Sequence, residues 1–162
     1  MRRAYPCTLG FSPQQSKRMA YIRIWIHCVW GTKNRVTYFT PDNKMLIIDH
    51  IRENAVKKEI YIDFINIHKE HAHCLISLNA GQTIDKIMQL IKGESSCWMN
   101  KNHIVHGKFE WADEYFAVSV SESQVNTVRE YIKNQEQHHA IKTWEQEYNE
   151  FIEKFGFVPM KG

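Results

Sequence analysis

IYIDFINIHKEHAHCLISL, residues 60–78, is the stretch whose reading decides the fold. Two runs of alternating apolar residues flank the charged kink Lys69-Glu70, so it reads as two strands. Only His68-Lys69-Glu70-His71 is available to turn between them, and so short a connection makes the pair antiparallel. The second strand opens with His71-Ala72-His73. Successive side chains on a strand point to opposite faces, so these two imidazoles leave the same face about 6.5 to 7 Å apart. Two imidazoles so placed can hold one metal ion. In a chain with 9 histidines the pair alone is a weak signal, since partly buried or surface histidines give the same pattern.

Working outward, Tyr21 to Trp30 (YIRIWIHCVW) is rich in β-branched and aromatic residues and reads as a strand. Gly31-Thr32-Lys33-Asn34-Arg35 ends it in a basic turn, suited equally to phosphate contact or to solvation. Thr40-Pro41-Asp42 starts a helix in which Met45, Ile48, Ile51, Ala55 and Val56 recur at helical spacing as far as about Lys58. Thr83 caps a second helix with Ile84, Ile87, Met88, Ile91 and Trp98 as its apolar positions, and Gly93 is expected to loosen a turn. Phe109 to Val120 reads as a short aromatic run followed by a strand. The next helix starts at Ser121, where a capping box with Gln124 fits, and runs to about His139. A final amphipathic helix spans roughly Thr143 to Phe155. The first six elements are β-α-β-β-α-β. This is the ferredoxin-like α+β arrangement, an antiparallel sheet with helices on one face, here extended by C-terminal helices.

The chain has 162 residues, enough for one domain with a real core, placed at 19–158. Residues 1–18, with three arginines, two prolines and a glycine, make a poor secretory signal and are expected to be a disordered extension. Its 43% hydrophobic and 24% charged residues are ordinary for a globular protein, and a net charge of +3 permits a nucleic-acid partner without demanding one. Cys7, Cys28, Cys74 and Cys97 form no C-x-x-C pair, and Cys28 and Cys74 sit in apolar strands as small buried hydrophobes. No apolar run has the length of a membrane span, so a cytoplasmic protein with no membrane partner is expected.

Tyr131 and Gln135 lie four residues apart on the helix that follows Ser121 and so share a face. Beside a metal held by two histidines, a tyrosine hydroxyl can act as nucleophile and an amide oxygen can complete the ligands of a hard cation. The same spacing also fits a core tyrosine and a surface amide.

His71-Ala72-His73 in the strand after a first strand, helix and second strand resembles the single-tyrosine HUH transposases of insertion sequences, the TnpA type, with their REP-associated tyrosine transposase relatives. Thr32-Lys33-Asn34-Arg35, Ile91-Lys92-Gly93-Glu94-Ser95-Ser96, Trp111 to Val120, and Tyr131 to His139 look like the same family in the same order. The resemblance covers roughly residues 20–157. It implies that His71, His73 and Gln135 hold one divalent metal, Mg²⁺ or Mn²⁺. It also implies that Tyr131 attacks a phosphate of single-stranded DNA to form a 5′-phosphotyrosine link. A homodimer acting on DNA hairpins is expected on the same ground. Lys33, Arg35, Lys86 and Lys92 are the candidate phosphate contacts, Trp111 and Tyr115 are core or stacking aromatics, and His138 and His139 stand near Tyr131 in sequence.

Ala72 is smaller than the usual valine-like residue of the motif. Two rival readings stand beside the transposase. One is a domesticated hairpin-binding protein of the same fold, which would tolerate loss of Tyr131. The other is an HUH replication initiator or relaxase; initiators pair the tyrosine with a lysine one turn away, where this chain has Gln135.

Overall fold

The computed structural model describes residues 21–135 and 143–156. Its sheet has four strands, β1 (Trp25–Gly31), β2 (Tyr61–His68), β3 (His71–Ser77) and β4 (Phe116–Val120), in the order β2-β3-β1-β4 with every neighbour antiparallel. Helices α1 (Pro41–Lys57) and α2 (Ile84–Lys101) cover one face. Helices α3 (Val125–Lys133) and α4 (Trp144–Phe155) pack on the other. The ferredoxin-like α+β order expected from the sequence is the one observed. Residues 1–18, together with His138 and His139, lie outside the described residues.

Alternation along the strands builds both layers. Ile26, Cys28 and Trp30 of β1 join Ala72, Cys74 and Ile76 of β3 in the main core beneath α1 and α2. The intervening side chains, His27 and Val29 of β1 with His71, His73 and Leu75 of β3, therefore face α3 and α4. Cys28 and Cys74 sit opposite each other in register as free, buried thiols.

Three local expectations are corrected. The first strand begins at Trp25 rather than Tyr21, because its partners run out: Trp25 pairs with Ser77 and Val120, the last residues of β3 and β4. On α1 the buried stripe is Ile47, Ile48, Ile51 and Ala55, leaving Met45 and Val56 exposed. Ser121 makes no capping box. Its hydroxyl meets Ser123, and a 3-10 turn over Glu122–Gln124 precedes α3. Glu122 is held instead across the sheet end, accepting from Trp25 Nε1 at 2.7 Å and Arg23 at 2.9 Å.

Helix α2 runs unbroken through Gly93. Thr83 Oγ1 caps its start by accepting the Lys86 N–H. Ser95 is buried in its middle, where its hydroxyl donates to Ile91 O at 2.6 Å and accepts from Trp111 Nε1 at 3.0 Å. Trp111 thus closes the core as an anchored aromatic. Among the described residues no helix is long and apolar enough to cross a membrane.

Ser95→Ala removes the acceptor of a buried indole N–H and should cost about 1–3 kcal/mol. The check is a lower urea midpoint at unchanged slope.

Candidate catalytic and metal site

Backbone hydrogen bonds tie down the turn before β3. Glu70 O accepts from Thr32 N at 2.7 Å and Lys69 O from Phe39 N at 3.0 Å, which fixes where β3 starts. His71 and His73 then leave β3 on the α3/α4 face, both buried, with ring centroids 5.2 Å apart.

Three contacts aim Tyr131 at this pair. Val125, Val128 and Ile132 of α3 pack on Leu75. Arg129 grips Asp63 with two hydrogen bonds of 2.6 and 2.7 Å, beside the irregularity between Ile62 and Phe64 in β2. Asn66 Nδ2 donates to Ile132 O at 2.9 Å. So seated, the Tyr131 ring lies edge-on to His73, with centroids 5.7 Å apart.

Helix α4 closes the site. A capping box starts it, with Thr143 Oγ1 accepting the Gln146 N–H and Gln146 Oε1 accepting the Thr143 N–H. Phe151 packs against Val29 and Phe116. One turn earlier, Glu147 enters the buried space between the two histidines and the tyrosine. Its carboxylate lies 3.4 Å from His73 Nε2 and 3.8 Å from His71 Nε2, and it accepts a hydrogen bond from the Tyr131 hydroxyl. Burial, and then the charge of Glu147, push the Tyr131 phenol well above its usual range; the Gln135 amide acts in the opposite direction. At neutral pH the phenol keeps its proton.

His27 brings a third imidazole to the cluster. Its Nε2 lies 3.1 Å from His73 Nδ1. Burial lowers its pKa to about 4, against an opposing pull from Glu147, so the ring is neutral near pH 7. A neutral His27 can accept from His73 Nδ1–H, which turns the lone pair of His73 Nε2 toward the Glu147 side. Such a contact selects the tautomer a metal ligand needs.

The sequence placed His71, His73, Tyr131 and Gln135 in one site, and the fold brings them to one buried region. Gln135, two residues past α3, is 1% exposed, and its amide is buried beside the Tyr131 phenol. Glu147 and His27 were missed. Both carried a signal: His27 is the only imidazole within the first strand run, and Glu147 falls on the apolar stripe of α4, four residues before Phe151.

These donors fit a divalent cation. The ligating atoms of His71, His73 and Glu147 all lie within 4.8 Å of one another, and all three residues are buried. A second group, His68, Glu70 and His71, shares His71 but is more open. Imidazole nitrogens with a carboxylate suit borderline or hard divalent ions, and the Gln135 amide is a further oxygen donor of the right kind. A cavity of about 600 Å³ between β4, α3 and α4 opens onto His27, Tyr131 and Glu147, with Thr127 and Lys154 among its walls.

The four basic candidates are spread out. Arg35 reaches the edge of the site, 3.7 Å from Glu145 and over the Tyr148 ring, both on α4. Lys33 pairs with Glu110 at 2.9 Å. Lys92 donates to the carbonyls of Asp113 and Glu114 and lies over Tyr115, tying α2 to the segment before β4. Lys86, in the first turn of α2, donates to Gln89. Trp111 is buried in the core.

A family model described as IS200-like transposase matches residues 20–135, which include His71, His73, Tyr131 and Gln135 but stop short of Glu147. In structure the chain is similar to a protein of Deinococcus radiodurans assigned as a transposase. The TM-score is 0.57 at 21% identity, over 75% of this chain and 97% of that one. It is also similar to a REP-associated tyrosine transposase bound to a REP hairpin, with a TM-score of 0.58 at 15% identity, over 75% of this chain and 72% of that one. At these identities the likeness is one of fold. No curated protein matches the chain by sequence.

His27→Ala should weaken Mn²⁺ affinity about 10- to 100-fold, as loss of a partner that orients a ligand does. Calorimetric titration of the variant against the unaltered protein checks this; equal affinities would remove His27 from the site.

Proposed function

Since the chain belongs to the family of IS200-like transposases, we propose that it cleaves and rejoins single-stranded DNA at hairpin-marked sites by transesterification through Tyr131. The observation that carries this reading is the position of the phenol, in the same buried cluster as His71 and His73 and within one chain. A tyrosine needed only for packing has no reason to bring its hydroxyl to a carboxylate between two histidines.

In the proposed reaction the Tyr131 oxygen attacks the phosphorus and the P–O3′ bond breaks. The products are a 5′-phosphotyrosine link and a free 3′-hydroxyl. The phenol surrenders its proton and the departing O3′ takes one up, so attack by another 3′-hydroxyl reverses the step and joins new ends without an external energy source. Bound at His71 and His73, with oxygen from Gln135, a divalent cation would polarise the scissile phosphate and offset its developing charge. Glu147 receives the phenol's hydrogen bond and His27 orients His73. The cavity of about 600 Å³ beside Tyr131 is the space this proposal assigns to a strand end.

A protein of the same fold has been captured on a REP hairpin, which supports a hairpin as the DNA feature this chain takes. Within the proposal, Arg35 is the first phosphate contact to test. Its ion-pair partner among the described residues is the exposed Glu145, and it borders α4. Lys33, Lys86 and Lys92 follow. A homodimer belongs to the same proposal.

The test is incubation with labelled single-stranded oligonucleotides from both flanks of the coding region, carrying any short inverted repeats, with Mg²⁺ or Mn²⁺. A denaturing gel should show a protein–DNA band that chelator and Tyr131→Phe both abolish. Hairpin binding without an adduct under either metal would make the chain a hairpin binder instead.

His71→Ala and His73→Ala should each abolish cleavage while hairpin binding persists, measured by gel shift. Unchanged cleavage in either variant would remove the metal from the mechanism.

A further inference from the structure

Glu147 is a buried carboxylate with no apolar reason to be there. Its side chain is 8% exposed, it belongs to the α4 stripe that packs on the sheet, and both of its oxygens face imidazole Nε2 atoms. Taking a carboxylate out of water costs several kcal/mol in real proteins. A divalent cation held by the same donors offsets that cost, because it sets two positive charges against the carboxylate at bonding distance.

We infer that Glu147 is itself a protein ligand of the divalent cation, which makes the centre a two-histidine, one-carboxylate site that α4 completes. The inference rests on the metal reading given above and goes beyond it, since Glu147 lies outside the residues that the family model matches. Geometry supports it. Donors at about 2.0–2.2 Å from one ion, at right angles or tetrahedral, stand about 2.8–3.6 Å apart. Glu147 Oε1 is 3.4 Å from His73 Nε2 and Oε2 is 3.8 Å from His71 Nε2, and the ligating atoms of the three residues all lie within 4.8 Å of one another, so the carboxylate stands close to the spacing that ligands of one ion require.

Two consequences follow for the site. The carboxylate that accepts the phenol's hydrogen bond is also a ligand, so the cation's charge is felt at the Tyr131 oxygen through one intervening group. Helix α4 is joined to β3 by the ion, so binding should stiffen a helix otherwise held by Phe151, Tyr148 and Ile152.

The experiment titrates Mn²⁺ into the full chain and into Glu147→Gln and Gln135→Ala, reading free Mn²⁺ by electron paramagnetic resonance. Amide hydrogen exchange of residues 143–156 is followed with and without the ion. Expected are a tenfold or greater loss of affinity in Glu147→Gln, and slowed exchange of α4 on Mn²⁺ addition that the variant lacks. Far-ultraviolet circular dichroism, unchanged from the unaltered protein, identifies a folded variant, and Glu147→Asp serves in its place if Glu147→Gln does not fold.

Equal affinity in the Glu147 variant, with the loss confined to Gln135→Ala, overturns the inference and leaves the metal reading standing. Reduced affinity with α4 still protected by Mn²⁺ also overturns it, because the effect is then one of distant charge. No binding by the unaltered chain overturns the inference and the metal reading together.

Discussion

One face of strand β3 sets everything else in this molecule. Because helices cover both faces of the sheet at β3, its side chains are buried on both sides, and Ala72, Cys74 and Ile76 take the core side. His71 and His73 must then point into the layer formed with α3 and α4, where water cannot serve them. The polar groups of that layer are gathered against one another: His27 meets His73, the Tyr131 hydroxyl donates to Glu147, and the Glu147 carboxylate stands beside both Nε2 atoms. A one-residue slip in register would exchange these histidines for Ala72 and Cys74, so the strand pairing holds the site in place as firmly as any ligand bond.

The second constraint is the anchoring of the two C-terminal helices. Helix α3 is short and weakly capped, with Gln124 at its N-cap making no side-chain bond. Its position comes from Arg129 on Asp63, Asn66 on Ile132 O, and the packing of Ile132 on Leu75. All three sit within one turn of Tyr131, so this side chain is positioned by local contacts rather than by the length of its helix. Helix α4 rests on Phe151 between Val29 and Phe116, and the same seating delivers Glu147 one turn away.

Much of this was legible in the sequence because it follows from periods of two and 3.6. The alternation in residues 60–78 gave the hairpin and the shared face of His71 and His73. Tyr131 and Gln135 were singled out by the family resemblance rather than by their spacing, and the single helix expected to carry both ends at Lys133, short of Gln135. What escaped was set by tertiary contact. The start of β1 depends on where β3 and β4 end, which no local pattern of YIRI encodes. Ser121 looked like a cap, yet Glu122 is drawn to Trp25 and Arg23 and the first turn becomes 3-10. Glu147 is one of several acidic residues in WEQEYNEF; its place on the apolar stripe sets it apart from Glu145 and Glu150, which stay exposed, but that stripe does not say what the carboxylate would meet. His27 was hidden for the opposite reason, inside an apolar run that reads as core.

The central claim is that one chain assembles the whole site, with Tyr131, His71 and His73 from the same protomer. The most direct test mixes two inactive variants, Tyr131→Phe and His71→Ala, under conditions that exchange subunits, and looks for covalent attachment to a cleavable single-stranded DNA. A site built within one chain predicts that every mixture stays inactive while the unaltered protein forms its adduct. Adduct formation restored by mixing would contradict the account, since Tyr131 would then be serving the histidines of the other protomer.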